Sequence, residues 1–141
     1  MDMDVHRSID AIAVGDDIGS ISIPVTLQRL VMEAGANRDF SLIHHDRDVA
    51  RATGAPDAYM NTFFIAGMFE RLLREWMGHR GVLNKITNLR MKKFNAVGDT
   101  VTFSGRVNGL DSATNQVVIE LKSNTANGET VTAEATVTLP A

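Results

Sequence analysis

The stretch NTFFIAGMFERLLREWM, residues 61–77, decides the fold of this 141-residue chain. Its apolar residues recur at spacings of three and four, which places them along one wide face of a helix. The members of that face are Phe64, Ile65, Met68, Phe69, Leu72, Leu73 and Trp76. The remaining surface carries two i, i+4 pairs typical of exposed helical ion pairs, Glu70 with Arg74 and Arg71 with Glu75. The apolar face is wide enough to be wrapped by a sheet.

Downstream of this helix the apolar residues alternate, which is the period of strands with one buried and one wet face. The alternation is clearest in TVTFSGRVNG from Thr100 and in ETVTAEATVTL from Glu129. Strands are predicted over 20–23, 83–95, 100–109, 116–123 and 129–139. Asn127-Gly128 suits a hairpin turn that needs positive φ. A long apolar helix followed by consecutive antiparallel strands predicts an α+β domain whose sheet curls around the helix, the hot-dog arrangement.

Two shorter helices are predicted before the long one. Thr26 has the position of an N-cap for the first, and Gly35 is its predicted stop. Asp46 caps the second, which ends before Gly54. Residues 36–46 therefore form a loop between two helices, a place where polar side chains can point into a cleft from a rigid scaffold.

The length and hydropathy of the chain bound its class. With 141 residues, of which 44% are hydrophobic, it is long enough for one core and too short for two, so we predict a single domain over residues 1–141. No stretch approaches the roughly 18 consecutive apolar residues of a membrane span. The acidic start MDMDVHRSID also lacks the pattern of a secretory signal. We therefore expect a soluble, cytoplasmic protein that does not enter a membrane.

Composition excludes several kinds of site. The net charge is −3, whereas general nucleic-acid binding needs a basic face that displaces phosphate counterions. The chain has no cysteine, which excludes disulfides and thiol nucleophiles and removes the usual structural zinc ligands. His44, His45 and Asp46 are consecutive rather than spaced to converge on one ion, so we predict no metal site.

A basic strip interrupts this acidic chain. No acidic residue lies between Glu75 and Asp99, but five basic ones do: Arg80, Lys85, Arg90, Lys92 and Lys93. The ordinary interpretation is a solvated strand face. The alternative is a site for the phosphates of a CoA-type ligand, for which Arg90, Lys92 and Lys93 are the predicted contacts.

Asp39 and His44 are the candidates for chemistry in the predicted loop. A carboxylate that stays ionised and an imidazole, which titrates near neutral pH, can together hold one water and move its protons. An isolated D-x4-H spacing is more often a capping Asp with an incidental His. The residues alone therefore leave both interpretations open.

The residues around this pair resemble a known motif. NRDFSLIHHD, residues 37–46, is similar to the hydratase motif of the MaoC-like family at Asp39, Phe40, Ile43, His44 and Asp46. The likeness extends through Gly54, the long helix and VGDTVTFSGRV at residues 97–107, and so covers the chain from about residue 26. In its details the motif is similar to that of the small MaoC-like subunits of bacterial steroid side-chain hydratases, which pair with a second MaoC-like chain.

The resemblance implies reversible hydration of a trans-2-enoyl-CoA with a bulky or steroid-like acyl group, without a cofactor beyond the CoA of the substrate. Asp39 and His44 would activate the water that attacks Cβ and return a proton to Cα. The family's His-Gly pair corresponds to Asn61-Thr62, so the Thr62 backbone N–H is the predicted oxyanion donor and Asn61 a predicted substrate contact. Thr62 replaces a glycine and Ser41 an asparagine of the family pattern, which indicates a differently shaped acyl group or a weakened site.

Three functional hypotheses follow from the resemblance. In the first, the chain is an enoyl-CoA hydratase that works as a homodimer or as a heteromer with a second MaoC-like chain. In the second, it is a non-catalytic or half-site subunit that completes the acyl-CoA site of such a partner. In the third, it is an acyl-CoA thioesterase with Glu70 as the helical carboxylate, although the i, i+4 spacing to Arg74 favours a surface ion pair.

Overall fold

The computed structural model describes residues 6–141. The regular elements in chain order are β1 (Asp17–Pro24), α1 (Leu27–Ala36), α2 (Arg47–Ala52), α3 (Thr62–Met77), β2 (Val82–Met91), β3 (Thr100–Asp111), β4 (Gln116–Thr125) and β5 (Gly128–Thr138). Short 3₁₀ helices lie over Ile9–Ala11 and Leu42–His44. No helix within the described range is both long and apolar enough to cross a bilayer. The single domain predicted over 1–141 begins with five residues outside this range, and its extent stays a prediction.

The five strands form one antiparallel sheet in the order β1-β3-β4-β5-β2. Along β4, Val117, Ile119 and Leu121 are fully buried, whereas the side chains between them are exposed or half-buried. Helix α3 lies against β1, β2 and β3. The predicted α+β class, with an antiparallel sheet wrapped around one long helix, is confirmed.

Aromatic contacts join α3 to the sheet. Phe69 of α3 and Phe103 of β3 are fully buried, and their rings meet edge to face with centroids 5.3 Å apart. This is a favoured geometry for two aromatic rings. Of the predicted apolar face, only Phe64 remains half-buried. Both predicted i, i+4 ion pairs are present on the exposed side of the helix.

The two predicted N-caps before α3 are confirmed. The Thr26 hydroxyl accepts a hydrogen bond from the Arg29 N–H at 3.2 Å and starts α1. The Asp46 carboxylate accepts from the N–H groups of Asp48 and Val49, both at 3.1 Å, and starts α2. Asp46 therefore has the capping role that its position indicated.

The predicted end of the strand after α3 is wrong. β2 ends at Met91 and not at Asn95. The N–H groups of Lys92 and Lys93 both donate to the same carbonyl, that of Thr130, at 2.7 and 3.1 Å, so the regular ladder stops there. The chain then turns away and pairs with the segment that precedes α3, which brings this segment to the candidate site.

Candidate active site

Asp39 is placed by the way in which α1 ends. The predicted stop at Gly35 is wrong, because the helix continues to Ala36 and the reversal occurs at Arg38, whose φ of 55° is left-handed. Two N–H groups donate back into the helix here: that of Arg38 to the Gly35 carbonyl at 3.2 Å, and that of Asp39 to the Ala34 carbonyl at 2.9 Å. These two bonds form a Schellman motif. They fix the backbone of Asp39 to α1.

Three groups surround the Asp39 carboxylate. Its Oδ1 accepts from the Ser41 N–H at 3.2 Å, and its Oδ2 accepts from Asn61 Nδ2 at 3.1 Å. The same Oδ2 lies 3.3 Å from His44 Nε2. The Ser41 N–H, then the Asn61 amide and the charges of His44 and His45, lower the pKa of Asp39 against the opposing effect of desolvation. Asp39 is therefore a carboxylate at neutral pH.

The His44 ring is held on its opposite side by Tyr59. His44 Nδ1 lies 2.8 Å from the Tyr59 carbonyl oxygen, and the two rings meet edge to face with centroids 5.3 Å apart. Because a carbonyl only accepts, Nδ1 carries a hydrogen, and Nε2 is the ring nitrogen that faces Asp39. The His44 side chain is 8% exposed and that of Asp39 is 26% exposed. The pair is therefore open to a ligand from the side of the carboxylate.

Asn61 links this pair to α3. Its Oδ1 accepts from the Phe64 N–H at 2.7 Å as the N-cap of the helix, while its Nδ2 donates to Asp39. Asn61 is buried, with 4% exposure. Thr62 is the exposed first residue of α3, where backbone N–H groups have no acceptor within the helix and the helix dipole favours negative charge. The structure thus brings together Asp39, His44, Asn61 and the N-terminus of α3, all of which were candidates from the sequence.

This arrangement is suited to chemistry on a water molecule. With no hydrogen on His44 Nε2, this nitrogen and Asp39 Oδ2 are both acceptors, so one water that lies against both atoms can donate a hydrogen to each. An oxygen that becomes negative during the reaction can be stabilised at the start of α3. Whether Asn61 and the Thr62 N–H contact a substrate stays a prediction.

An ion pair behind His44 was missed by sequence reasoning. Asp57 accepts from Arg47 Nε and Nη2 at 2.8 and 2.6 Å and from the Ala58 N–H at 2.8 Å. These hydrogen bonds with Arg47, helped by the Arg51 charge, lower the pKa of Asp57 to about 2. Asp57 is 7% exposed, so its charge is satisfied largely by protein. A buried Asp among small apolar residues after Gly54 was the available signal, but its partner was not identifiable from spacing.

Two of the three predicted phosphate-binding residues hold other partners. Lys92 forms an ion pair with Glu129, and Lys93 Nζ donates to the Asn127 carbonyl at 2.6 Å. Arg90 lines a polar groove of about 410 Å³ on the sheet together with Glu120 of β4 and residues of β2, β3 and β5. All three basic residues are exposed. A role in binding a substrate stays a prediction for each of them.

An apolar surface flanks the pair. Phe40, Leu42 and Phe63 are 74%, 51% and 63% exposed. Beside them, α1 and α3 border a groove of about 560 Å³ that includes Phe64 and Met68. So large a concentration of exposed apolar side chains is typical of a ligand or partner surface.

Fold and site together define a class, the hot-dog proteins with an Asp–His pair at the start of the central helix. No protein-family model matches the chain. It is 34% identical over 104 residues to the 3-oxo-4,17-pregnadiene-20-carboxyl-CoA hydratase beta subunit of Mycobacterium tuberculosis, covering 74% of this chain and 78% of that protein. The chain therefore belongs to the MaoC-like hydratase family.

Solved structures agree with this assignment. A chain of the ChsH1-ChsH2 complex from Mycobacterium tuberculosis superposes with a TM-score of 0.84 at 29% identity, covering 90% of this chain and 98% of that chain. The (R)-hydratase from A. caviae involved in PHA biosynthesis gives a TM-score of 0.84 at 25% identity, covering 92% and 98%. A MaoC-like dehydratase at 22% identity shares the fold, with a TM-score of 0.87 over 95% of this chain and 42% of its own.

Replacing Asn61 by Asp is expected to raise the pKa of Asp39. The substitution removes the Nδ2 donor and sets a second carboxylate against Oδ2, and both changes disfavour the ionised form. Because Asp caps helices as well as Asn, the cap should survive, whereas Asn61→Ala should cost about 1 kcal/mol of stability. A carboxyl carbon NMR titration of Asp39 measures the effect. Asn61→Ser, which keeps a cap without adding a charge, is the control. An Asp39 that titrates alike in the wild type and in Asn61→Asp would contradict the proposed contact.

The Arg47–Asp57 pair should stabilise the fold in a pH-dependent way. The folded pKa of Asp57, about 2, lies below its ordinary value of 3.8, so its contribution is complete above about pH 4 and is lost as the pH falls towards 2. Asp57→Asn should therefore lower the free energy of unfolding by about 1–3 kcal/mol at pH 6, and by less near pH 2. Urea denaturation across this range measures both values. The control is Asp48→Asn in α2, the helix that contains Arg47. The Asp48 side chain is 95% exposed, so this substitution should change the free energy of unfolding little at any pH. If the difference in unfolding free energy between the wild type and Asp57→Asn grew as the pH fell, the proposed stabilising role of the ionised Asp57 would be contradicted.

Proposed function

We propose that this chain adds water reversibly to a trans-2-enoyl-CoA and forms a 3-hydroxyacyl-CoA. The observation that carries the proposal is the 3.3 Å approach of Asp39 Oδ2 to His44 Nε2 beside the start of α3. Membership of the MaoC-like hydratase family supports it. The only cofactor chemistry required is the activation that the CoA thioester itself supplies.

In the proposed reaction, Asp39 and His44 hold the attacking water. As the water oxygen bonds to Cβ, one of the two side chains takes its proton, and the electron pair of the double bond moves towards the thioester oxygen. The Thr62 N–H at the start of α3 stabilises the resulting enolate oxygen. A proton returned from the pair to Cα completes the addition. The ionised state of Asp39 supports its role as a proton acceptor.

A bulky acyl group is the substrate that we favour. The related beta subunit is named for a pregnadiene carboxyl-CoA, which contains a fused ring system. In this chain, the groove that includes Phe64 and Met68 provides apolar surface along α3, and it reaches Phe63 in the first turn of that helix. Thr62 in place of the family's glycine changes the shape of the site at the thioester. For the CoA phosphates, the exposed Arg90, Lys92 and Lys93 remain the proposed contacts.

We also propose that a second hot-dog chain covers the active site. The related protein is named a beta subunit, and one similar structure is a complex of two chains. Here Phe40, Leu42 and Phe63 expose apolar surface around a site that should exclude water during the reaction. The half-site hypothesis fits this chain less well, because the Asp–His pair is complete within it. The thioesterase hypothesis is disfavoured because Glu70 is paired with Arg74 at 2.8 Å.

Replacing Asp39 by Ala should abolish most hydration activity. Loss of a group that works in acid–base catalysis is expected to lower the rate on the order of 10² to 10⁴. The decrease in enoyl-thioester absorbance with crotonyl-CoA and with a ring-bearing enoyl-CoA measures the rate, and a thiol reagent detects any CoA released by thioesterase activity. Asp48→Asn serves as the control. Equal rates for the wild type and Asp39→Ala would refute the proposed function.

Charging the apolar surface should dissociate the active assembly. Phe63→Asp is expected to leave the chain folded, because exposed positions tolerate substitution within about 0.5 kcal/mol, but to prevent contact with a second hot-dog chain. Light scattering measures the mass of the assembly, and the hydration assay measures its activity. Both are applied to the chain alone and to the chain coexpressed with a second MaoC-like chain. Val14→Asp, also at a 63% exposed side chain, is the matched control. A wild-type monomer that hydrates substrate at its full rate would show that no second chain is needed.

A further inference from the structure

We propose that the ion pair between Arg47 and Asp57 is a positioning device that holds His44 in the tautomer needed to activate water. The inference rests on the proposed function, since it assigns a purpose to the tautomer of His44. Arg47 and Asp57 do not touch the Asp39–His44 pair themselves. They act on it through the backbone that carries the Tyr59 carbonyl.

The ion pair links the two ends of a short segment of the chain, residues 47–57. Arg47 follows His44 by three residues and Asp57 precedes Tyr59 by two, so the pair joins the two segments that meet at the His44 ring. Both guanidinium contacts are short, at 2.8 and 2.6 Å, and the side-by-side geometry allows little rotation. The distance between His44 and the Tyr59 backbone is therefore held from one side by α2.

The backbone after Asp57 is fixed as well. Asp57 Oδ1 accepts from the N–H of the next residue, Ala58, at 2.8 Å, which orients the Asp57–Ala58 peptide. The Met60 N–H, which belongs to the same peptide as the Tyr59 carbonyl, donates to the Asn95 carbonyl at 2.9 Å. The segment is thus held at both ends, and the Tyr59 carbonyl is directed towards His44 Nδ1 at 2.8 Å.

The direction of this carbonyl decides which nitrogen of His44 is free. With the hydrogen on Nδ1, Nε2 can accept a hydrogen from water beside Asp39. With the hydrogen on Nε2, the ring would donate directly to Asp39 Oδ2, 3.3 Å away, and no acceptor nitrogen would face the substrate. A loosened Tyr59 carbonyl would therefore lower activity while leaving both catalytic side chains in place.

A purely structural ion pair would not need this geometry. Arg51 also donates to Asp57 Oδ2 and to the Pro56 carbonyl, both at the long distance of 3.4 Å, and its charge would partly neutralise the carboxylate. Arg47 adds two shorter bonds to both carboxylate oxygens, and this side-by-side contact fixes direction more strongly. The structural and positioning roles differ in what they predict for the imidazole, and this difference can be measured.

The test uses Asp57→Asn, Arg47→Met and the double variant, each in the protein with any partner chain it requires. Nitrogen-15 NMR of the His44 ring, assigned by comparison with His44→Gln, reports which nitrogen carries the hydrogen. Wild type should show the hydrogen on Nδ1, and both single variants should shift towards Nε2. We expect kcat to fall about tenfold to hundredfold with KM nearly unchanged, as for other residues that orient a catalytic imidazole. The double variant should lose no more than either single one, because the two residues act as a unit.

Arg74→Met is the control, since it removes an exposed ion pair of α3 and should change neither tautomer nor kcat. Variants that are less stable in urea, yet keep the hydrogen on Nδ1 and the wild-type kcat, would overturn the proposal and leave the pair a structural one. If the wild type hydrates no thioester, the proposed function fails, whereas the NMR comparison still decides whether the ion pair sets the tautomer. Arg47→Met keeps the test decisive if Asp57→Asn does not fold.

Discussion

The side-chain amide of Asn61 is the contact on which the site depends. Its oxygen caps the N-terminus of the central helix by accepting the Phe64 N–H, and its nitrogen donates to the Asp39 carboxylate. The helix itself is fixed by its buried face, which packs on the sheet through Phe69 and Phe103. One buried amide therefore sets the Asp39 carboxylate against the start of a helix whose position is fixed by its packing on the sheet. The core thus determines the distance between this carboxylate and the end of the helix dipole.

The two members of the pair are held by different means. Asp39 is fixed by a Schellman motif at the end of α1, which requires the left-handed conformation at Arg38. A non-glycine residue in this conformation costs on the order of 1 kcal/mol, a strain that persists only where surrounding bonds enforce it. His44 is held by the Tyr59 backbone instead. The site is thus assembled from three short segments, and packing against α3 brings them together.

Sequence reasoning succeeded where the signal is local. The apolar period of α3, the alternation in β3 to β5 and the caps at Thr26 and Asp46 all depend on neighbours within a few residues. The Asp39–His44 pair was found through a family motif, since its spacing alone favours an incidental origin. The end of α1 was misplaced, because glycine is the usual residue in a left-handed position and here Arg38 takes it. The Arg47–Asp57 pair could not be predicted, because only the fold brings Asp57, which lies two residues before Tyr59, back to α2.

The residues that depart from the family pattern differ in their effects on the site. Asn61, in place of the family's histidine, hydrogen-bonds both to Asp39 and to the start of α3, so this substitution keeps Asp39 tied to the helix. Thr62 is exposed as the first residue of α3, where it places a side chain in the position of the family's glycine. The chain therefore contains both members of the Asp–His pair, the helix end and their supports. Phe40, Leu42 and Phe63 remain exposed in the part of the chain that the structure describes, and the proposed second hot-dog chain is the cover that this surface suits.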